Sequence, residues 1–153
     1  MKLIKEITES VNYLVEENDG KKTLFIEGPF LVSEKVNKNG RMYKEETMRK
    51  EVGRYVTEYV DKNRAFGELG HPDTPSINLD RVSHIIVGLR QEGTAWIGKA
   101  KILETPMGNI ARGLLESGAN LGVSSRALGS LQPDNKTGAM MVQSDLRLAT
   151  AAD

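Results

Sequence analysis

The sequence contains no cysteine, so disulfides and thiolate metal sites are excluded and covalent chemistry must use another nucleophile. That absence suits a reducing compartment. An excess of either charge is missing too: 21 lysines and arginines balance 21 aspartates and glutamates, which argues against a dominant basic face for nucleic acid. No apolar run approaches the roughly 20 residues of a membrane-spanning helix. The first nine residues carry acids inside their short apolar stretch, unlike a secretory signal. There is no His-Glu-x-x-His, no P-loop, no Gly-x-Gly-x-x-Gly after a strand and no Gly-x-Ser-x-Gly elbow. Histidine is scarce, with only His71 and His84. These absences predict a soluble, cytoplasmic chain without cofactor or metal, and with neither nucleic acid nor membrane as partner.

At 153 residues the chain suffices for one domain with a real core, and no repeat or linker divides it. Leu3, Ile4, Ile7, Val11, Leu14 and Val15 fall near a helical repeat, which predicts a short amphipathic helix or docking arm within residues 1–22. Residues 23–27 read as a strand that Gly28-Pro29 breaks, with a second extended piece over 30–36. Met48, Val52, Tyr55, Val56, Tyr59 and Val60 mark the buried face of a helix over 44–62, with Glu45, Glu46, Arg49, Lys50 and Glu51 on a solvated face. Residues 64–76, rich in glycine and proline, read as a loop carrying His71. Residues 82–89 and 94–103 predict an antiparallel hairpin turning at Glu92-Gly93, with His84 a structural strand residue. Thr105 as N-cap, Pro106 at the first helical position and Gly118 at the C-terminal end bracket a helix with Met107, Ile110, Ala111, Leu114 and Leu115 inward. A short strand at 121–126, a hairpin-type turn at 133–138 and a strand over 140–149 complete the chain. Its stop at Ala151-Ala152-Asp153 reads as a truncation.

Chemistry concentrates in Gly122-Val-Ser-Ser-Arg-Ala-Leu-Gly129, where two serines and an arginine sit between glycines. A serine becomes nucleophilic when a base removes its proton and donors stabilise the oxyanion. Ser124 or Ser125 is the candidate nucleophile and His71 the candidate base, an ordinary surface histidine being the competing reading. Arg126 is read either as a group for an acidic substrate or the oxyanion, or as half of an ion pair.

Four stretches in order carry a resemblance: Asn37-Lys-Asn-Gly-Arg-Met-Tyr43, Gly67-Glu-Leu-Gly-His-Pro72, Thr105-Pro-Met-Gly-Asn109 and Gly122-Val-Ser-Ser-Arg-Ala-Leu-Gly-Ser130. Together they resemble the prohead core protein proteases of T-even-type tailed phages, across residues 24–153. The resemblance implies an α+β fold with a mainly antiparallel, β-barrel-like core flanked by helices, similar to the herpesvirus assembly proteases. It implies a protease domain over 23–153 and a serine endopeptidase that cleaves phage scaffold, core and major capsid proteins inside the immature prohead, in the host cytoplasm. A homo-oligomer is compatible with such a role.

Matched motif by motif, Ser124 is the nucleophile, His71 the base, and Ser125 and Arg126 shape the oxyanion site. Asp153 matches the acid near the site, with Glu68 competing to orient His71. Ala127 stands where the family usually has glycine, and family members continue beyond the Ala-Ala-Asp. The resemblance also implies cleavage after glutamate preceded two residues earlier by leucine or isoleucine. Residues 7–9, 14–16, 102–104 and 114–116 fit that pattern, so self-trimming after Glu9 or Glu16 is expected. The alternative from another class is a non-catalytic capsid or scaffold module that retains the fold.

Overall fold

The computed structural model describes residues 1–8 and 11–153. Its strands are β1 (Lys2–Thr8), β2 (Asn12–Asn18), β3 (Lys21–Val32), β4 (Arg41–Met42), β5 (Phe66–Glu68), β6 (Val82–Glu92), β7 (Ala95–Ile102), β8 (Val123–Gly129), β9 (Leu131–Pro133), β10 (Met140–Val142) and β11 (Arg147–Thr150). Two α-helices, α1 (Glu45–Tyr55) and α2 (Pro106–Glu116), join them. The strands form three sheets ordered β2-β3-β7-β6-β5, β1-β8-β11 and β4-β10-β9, antiparallel throughout except where β10 runs parallel to β4. The result is an α+β fold whose sheets do not close into a barrel among the described residues.

The β6–β7 hairpin is the spine of the large sheet. Along β7, Trp96, Gly98, Ala100 and Ile102 are buried and alternate with half-buried neighbours, the period-2 pattern of a strand with one inward face. Phe30 of β3 lies flat over Gly98, where a β-carbon would fall 2.0 Å from its ring. In α2, Thr105 accepts from the Gly108 backbone N–H at 3.0 Å, Pro106 opens the helix and Gly118 takes φ of 88° after its end, as the residue signals require. Gly108 weakens helix propensity, but a β-carbon there would fall 1.9 Å from the Leu103 carbonyl oxygen, so close packing on the hairpin requires glycine.

Several expectations are corrected. Residues 3–8 and 12–17 lie in strands β1 and β2, not in a helix. Their β-branched residues suit a pleated surface, and pairing of β1 with β8 and of β2 with β3 outweighs the helical spacing. Gly28-Pro29 does not end β3, because a register shift between Pro29 and Leu31 absorbs the missing N–H. Residues 140–149 divide into β10 and β11 around a turn. Glu51 is not on a solvated face: it is buried, gripped by the Arg54 guanidinium at 2.6 and 2.7 Å, and accepts from the Leu148 backbone N–H. Ile110 and Leu114 point outward from α2, whose buried face is Gly108, Ala111 and Leu115.

Gly67 in β5 has the tightest environment near the serines. A β-carbon there would fall 2.0 Å from His84 Nε2 and 2.3 Å from the Ala152 carbonyl oxygen. Gly67→Ala should destabilise the fold by about 3 kcal/mol through overpacking, read as a lower urea midpoint. An unchanged midpoint would show that β5 and the 150–153 segment are not packed this closely.

Candidate active site

β8 is the central strand of its sheet, with β1 on one edge and β11 on the other. Its side chains alternate between two buried faces. Val123 and Ala127 join Ile4 in the hydrophobic core, so Ser125 points to that side. Ser124 and Arg126 point to the opposite side. Over that opposite face lies the loop after β5: Arg126 bonds its Thr74 and Ser76 carbonyls, and Lys5, register partner of Arg126, pairs with its Asp73. His71 belongs to the same loop. The strand period therefore puts Ser124, rather than Ser125, on the side of the Asp73–Ser76 stretch of that loop, while the cavity lined by His71 meets the start of β8 at Gly122 and Val123.

The Arg126 guanidinium is fully buried. Nε donates to Asp153 Oδ2 at 2.9 Å, and Nη2 donates to Asp153 Oδ1 at 3.1 Å and Glu68 Oε2 at 2.7 Å. Nη1 donates to the carbonyls of Thr74 at 2.6 Å and Ser76 at 2.8 Å. These bonds use every N–H the guanidinium owns. Asp153 is fixed further by its backbone N–H on the Ser124 carbonyl at 2.8 Å and by the Glu68 backbone N–H on Oδ1 at 3.2 Å. Burial pushes the Asp153 carboxyl above the usual aspartate value, against the opposing pull of Arg126.

Asp153 and Glu68, both candidates to orient His71, thus bond Arg126 instead. His71 is exposed and lines a cavity of about 370 Å³ together with Glu68, Asp153, Gly122 and Val123. Ser124 is buried, and its hydroxyl donates to the Ser125 carbonyl at 3.4 Å. Among the described residues no hydrogen bond joins His71 to either serine. Ser125 lines a second cavity, of about 260 Å³, on the other side of β8. No cluster of candidate metal ligands occurs among the described residues.

His84 is buried in β6 and hydrogen-bonded at both nitrogens. Nε2 lies 2.9 Å from the Ala152 carbonyl, which can only accept, so Nε2 carries the proton. Nδ1 then accepts from the Ser83 hydroxyl at 2.7 Å. The ring secures the 150–153 segment and with it Asp153. Burial holds its pKa below the ordinary 6.5, with the Ala152 bond opposing. Residues 4–6, Ile4-Lys5-Glu6, were missed as a fifth instance of leucine or isoleucine two before glutamate; they lie along β8, with Glu6 opposite Ser125. Glu9 lies outside the described residues, and Glu16 sits in β2 opposite Thr23.

Fold and sequence together define a hydrolase of the serine protease class. The profile of the prohead core protein serine proteases matches residues 5–153, and the chain belongs to that family. It is 34% identical over 160 residues to the prohead core protein protease of Enterobacteria phage T4, spanning 97% of this chain and 72% of that protein. It is also similar to the solved structure of the bacteriophage T4 capsid assembly protease, gp21. That likeness has a TM-score of 0.90 at 30% identity, covering 99% of this chain and 95% of the other.

Two outcomes test this geometry. Arg126→Met leaves Glu68 and Asp153 buried without their cation and should cost about 3–5 kcal/mol. Arg126→Lys should recover only part of this, since an ammonium cannot reproduce the fork; full recovery in urea unfolding would refute the clamp. For His84, the unfolded chain gains a proton below pH 6.5 that the folded chain resists. Its stability contribution is therefore complete above that pH and declines, by up to ~1.4 kcal/mol per unit, as pH falls through the lowered folded value. His84→Gln should flatten the fall of the urea midpoint between about pH 6.5 and 5; an unchanged slope would assign it to other groups.

Proposed function

We propose that this chain is the endopeptidase that processes core and capsid proteins within a phage prohead during maturation. Ser124 is its nucleophile and His71 its general base. The observation that carries the assignment is the shared face: Ser124 lies two residues before Arg126, and Arg126 clamps the loop that bears His71. In this reading His71 takes the Ser124 hydroxyl proton as Oγ adds to the scissile carbonyl carbon. The tetrahedral oxyanion collapses with cleavage of the C–N bond, and the leaving amine receives the proton from His71. Water then adds to the acyl-enzyme with His71 again as base, releasing the acid and restoring Ser124. Arg126, with every N–H engaged, acts as a positioning residue for the loop, and Ser125 shapes the oxyanion site from the neighbouring backbone.

The substrates are read as scaffold and major capsid proteins cut after glutamate in Leu/Ile-x-Glu sequences. Similarity to a prohead core protein protease and a capsid assembly protease of phage T4 supports a prohead setting. Kinship with the herpesvirus assembly proteases and assembly of several copies belong to the same reading. Self-trimming near the N-terminus fits a strand, β1, that lies directly along β8 as the edge of its sheet.

A fluorophosphonate probe applied to the full chain tests the nucleophile. Labelling should disappear in Ser124→Ala, persist in Ser125→Ala and slow by about 100-fold or more in His71→Gln. Labelling that survives Ser124→Ala and vanishes in Ser125→Ala would move the nucleophile to the opposite face and overturn the assignment.

A further inference from the structure

Glu6 is held by side-chain donors on both carboxylate oxygens. Arg41 grips it as a fork, Nε to Oε2 at 2.9 Å and Nη2 to Oε1 at 3.0 Å. Asn39 Nδ2 donates to Oε1 at 2.8 Å and the Tyr43 hydroxyl to Oε2 at 2.6 Å. Each carboxylate oxygen thus accepts two hydrogen bonds, and all the donors come from one short segment, 39–43. Arg41 Nη2 also donates to the Lys5 carbonyl at 2.7 Å, so the same guanidinium holds the backbone of β1 as well as its acid. Asn37 Oδ1 accepts from the backbone N–H of Asn39 and Arg41, at 3.0 and 3.1 Å, and the Gly40 carbonyl accepts from Met140 N–H at 2.8 Å. The backbone of the segment is thus shaped by Asn37 and β10, and its occupant arrives on an edge strand.

Glu6 also sits opposite Ser125 and Ile7 opposite Ser124, so β1 lays an Ile-x-Glu sequence along the serine strand. Beside the carboxylate is the cavity of about 260 Å³, lined by Ile7, Phe30, Tyr43, Met48 and Ser125. Burial would raise the Glu6 pKa, but the bonds from Arg41, Tyr43 and Asn39 hold it below the ordinary glutamate value.

The geometry points to Arg41, Tyr43 and Asn39 as the carboxylate-reading subsite that takes the glutamate side chain of a peptide exchanging with β1 along β8, with Glu6 filling it in this structure. The inference rests on the protease reading above and deepens it by naming the residues that select the acid. Arg41 provides charge and planar geometry and rejects a neutral amide, whose NH2 group would face one of its two N–H donors in either orientation, while Tyr43 and Asn39 complete the carboxylate's hydrogen bonds.

Binding tests it independently of the nucleophile. Two fluorescent peptides, identical except for Ile-Lys-Glu or Ile-Lys-Gln at the centre, are titrated by anisotropy against the full chain carrying Ser124→Ala. Adding Glu6→Ala removes the occupying side chain and one anchor of β1, so the Glu peptide should compete for the edge of β8 and tighten roughly 10-fold or more, leaving the Gln peptide weak. Arg41→Met on that background should bring the Glu-to-Gln ratio close to one. Should Arg41→Met fail to fold, Tyr43→Phe keeps the ring, removes one donor and should lower the ratio several-fold. Affinity unchanged by Glu6→Ala, a ratio unchanged by Arg41→Met or Tyr43→Phe, or no binding of either peptide overturns the subsite. Loss of hydrolysis in the chain with Ser124 intact, alongside preserved discrimination, would instead sink the protease reading and leave the subsite standing.

Discussion

The buried guanidinium of Arg126 is the interaction on which the serine strand, the histidine loop and the 150–153 segment all depend. A cation with two carboxylates removed from water is a poor source of net stability, because desolvation cancels much of the attraction. Its value here is positional. Five hydrogen bonds from one planar group fix Asp153, Glu68 and the carbonyls of Thr74 and Ser76 relative to β8. Glycine at position 67 and the neutral His84 ring complete the same junction from the other side, by holding Ala152 close. A loop rich in glycine and proline would otherwise have little to set its place over the strand.

The two faces of β8 divide the work. One carries Ser124 and Arg126 beneath the His71 loop, and the other carries Ser125 above the core and next to the Glu6 carboxylate. β1 touches both faces through alternate side chains: Lys5 reaches Asp73, while Glu6 reaches Arg41. A peptide occupying that edge would be read in the same alternating way, its acid on the Arg41 side and its neighbours toward the histidine loop. In the proposed reading, sheet geometry thus supplies both chemistry and selection from a single strand.

Elements whose signals are local were legible in the sequence. Thr105, Pro106 and Gly118 delimit α2 because capping depends on residues within a few positions, and the β6–β7 hairpin shows in its β-branched runs. The N-terminal segment was misread because Ile4, Ile7 and Val11 satisfy a helical spacing almost as well as a strand one. What decides for the strand is pairing with β8, more than a hundred residues away. Arg126 was read as half of an ion pair as one alternative, which the fold bears out, but its partners, like the burial of Glu51, were illegible: a charged residue gives no sign of which distant carboxylate, guanidinium or backbone amide will meet it in the core. Motif resemblance reached Ser124, His71, Asp153 and Glu68, but the partners of the two acids emerged only from the fold. Ile4-Lys5-Glu6 was available to the same pattern that picked out residues 7–9, yet its meaning depends on where Arg41 and Tyr43 stand.

A crystal structure of the full chain after reaction with a peptidyl phosphonate ending in glutamate tests the arrangement most directly. The account predicts phosphorus bonded to Ser124 Oγ, a His71 ring nitrogen within about 3 Å of that oxygen, and Arg126 still forked onto Asp153 and Glu68. Phosphorus on Ser125, or His71 remaining beyond hydrogen-bond reach with Arg126 turned onto the phosphonyl oxygen, would contradict it.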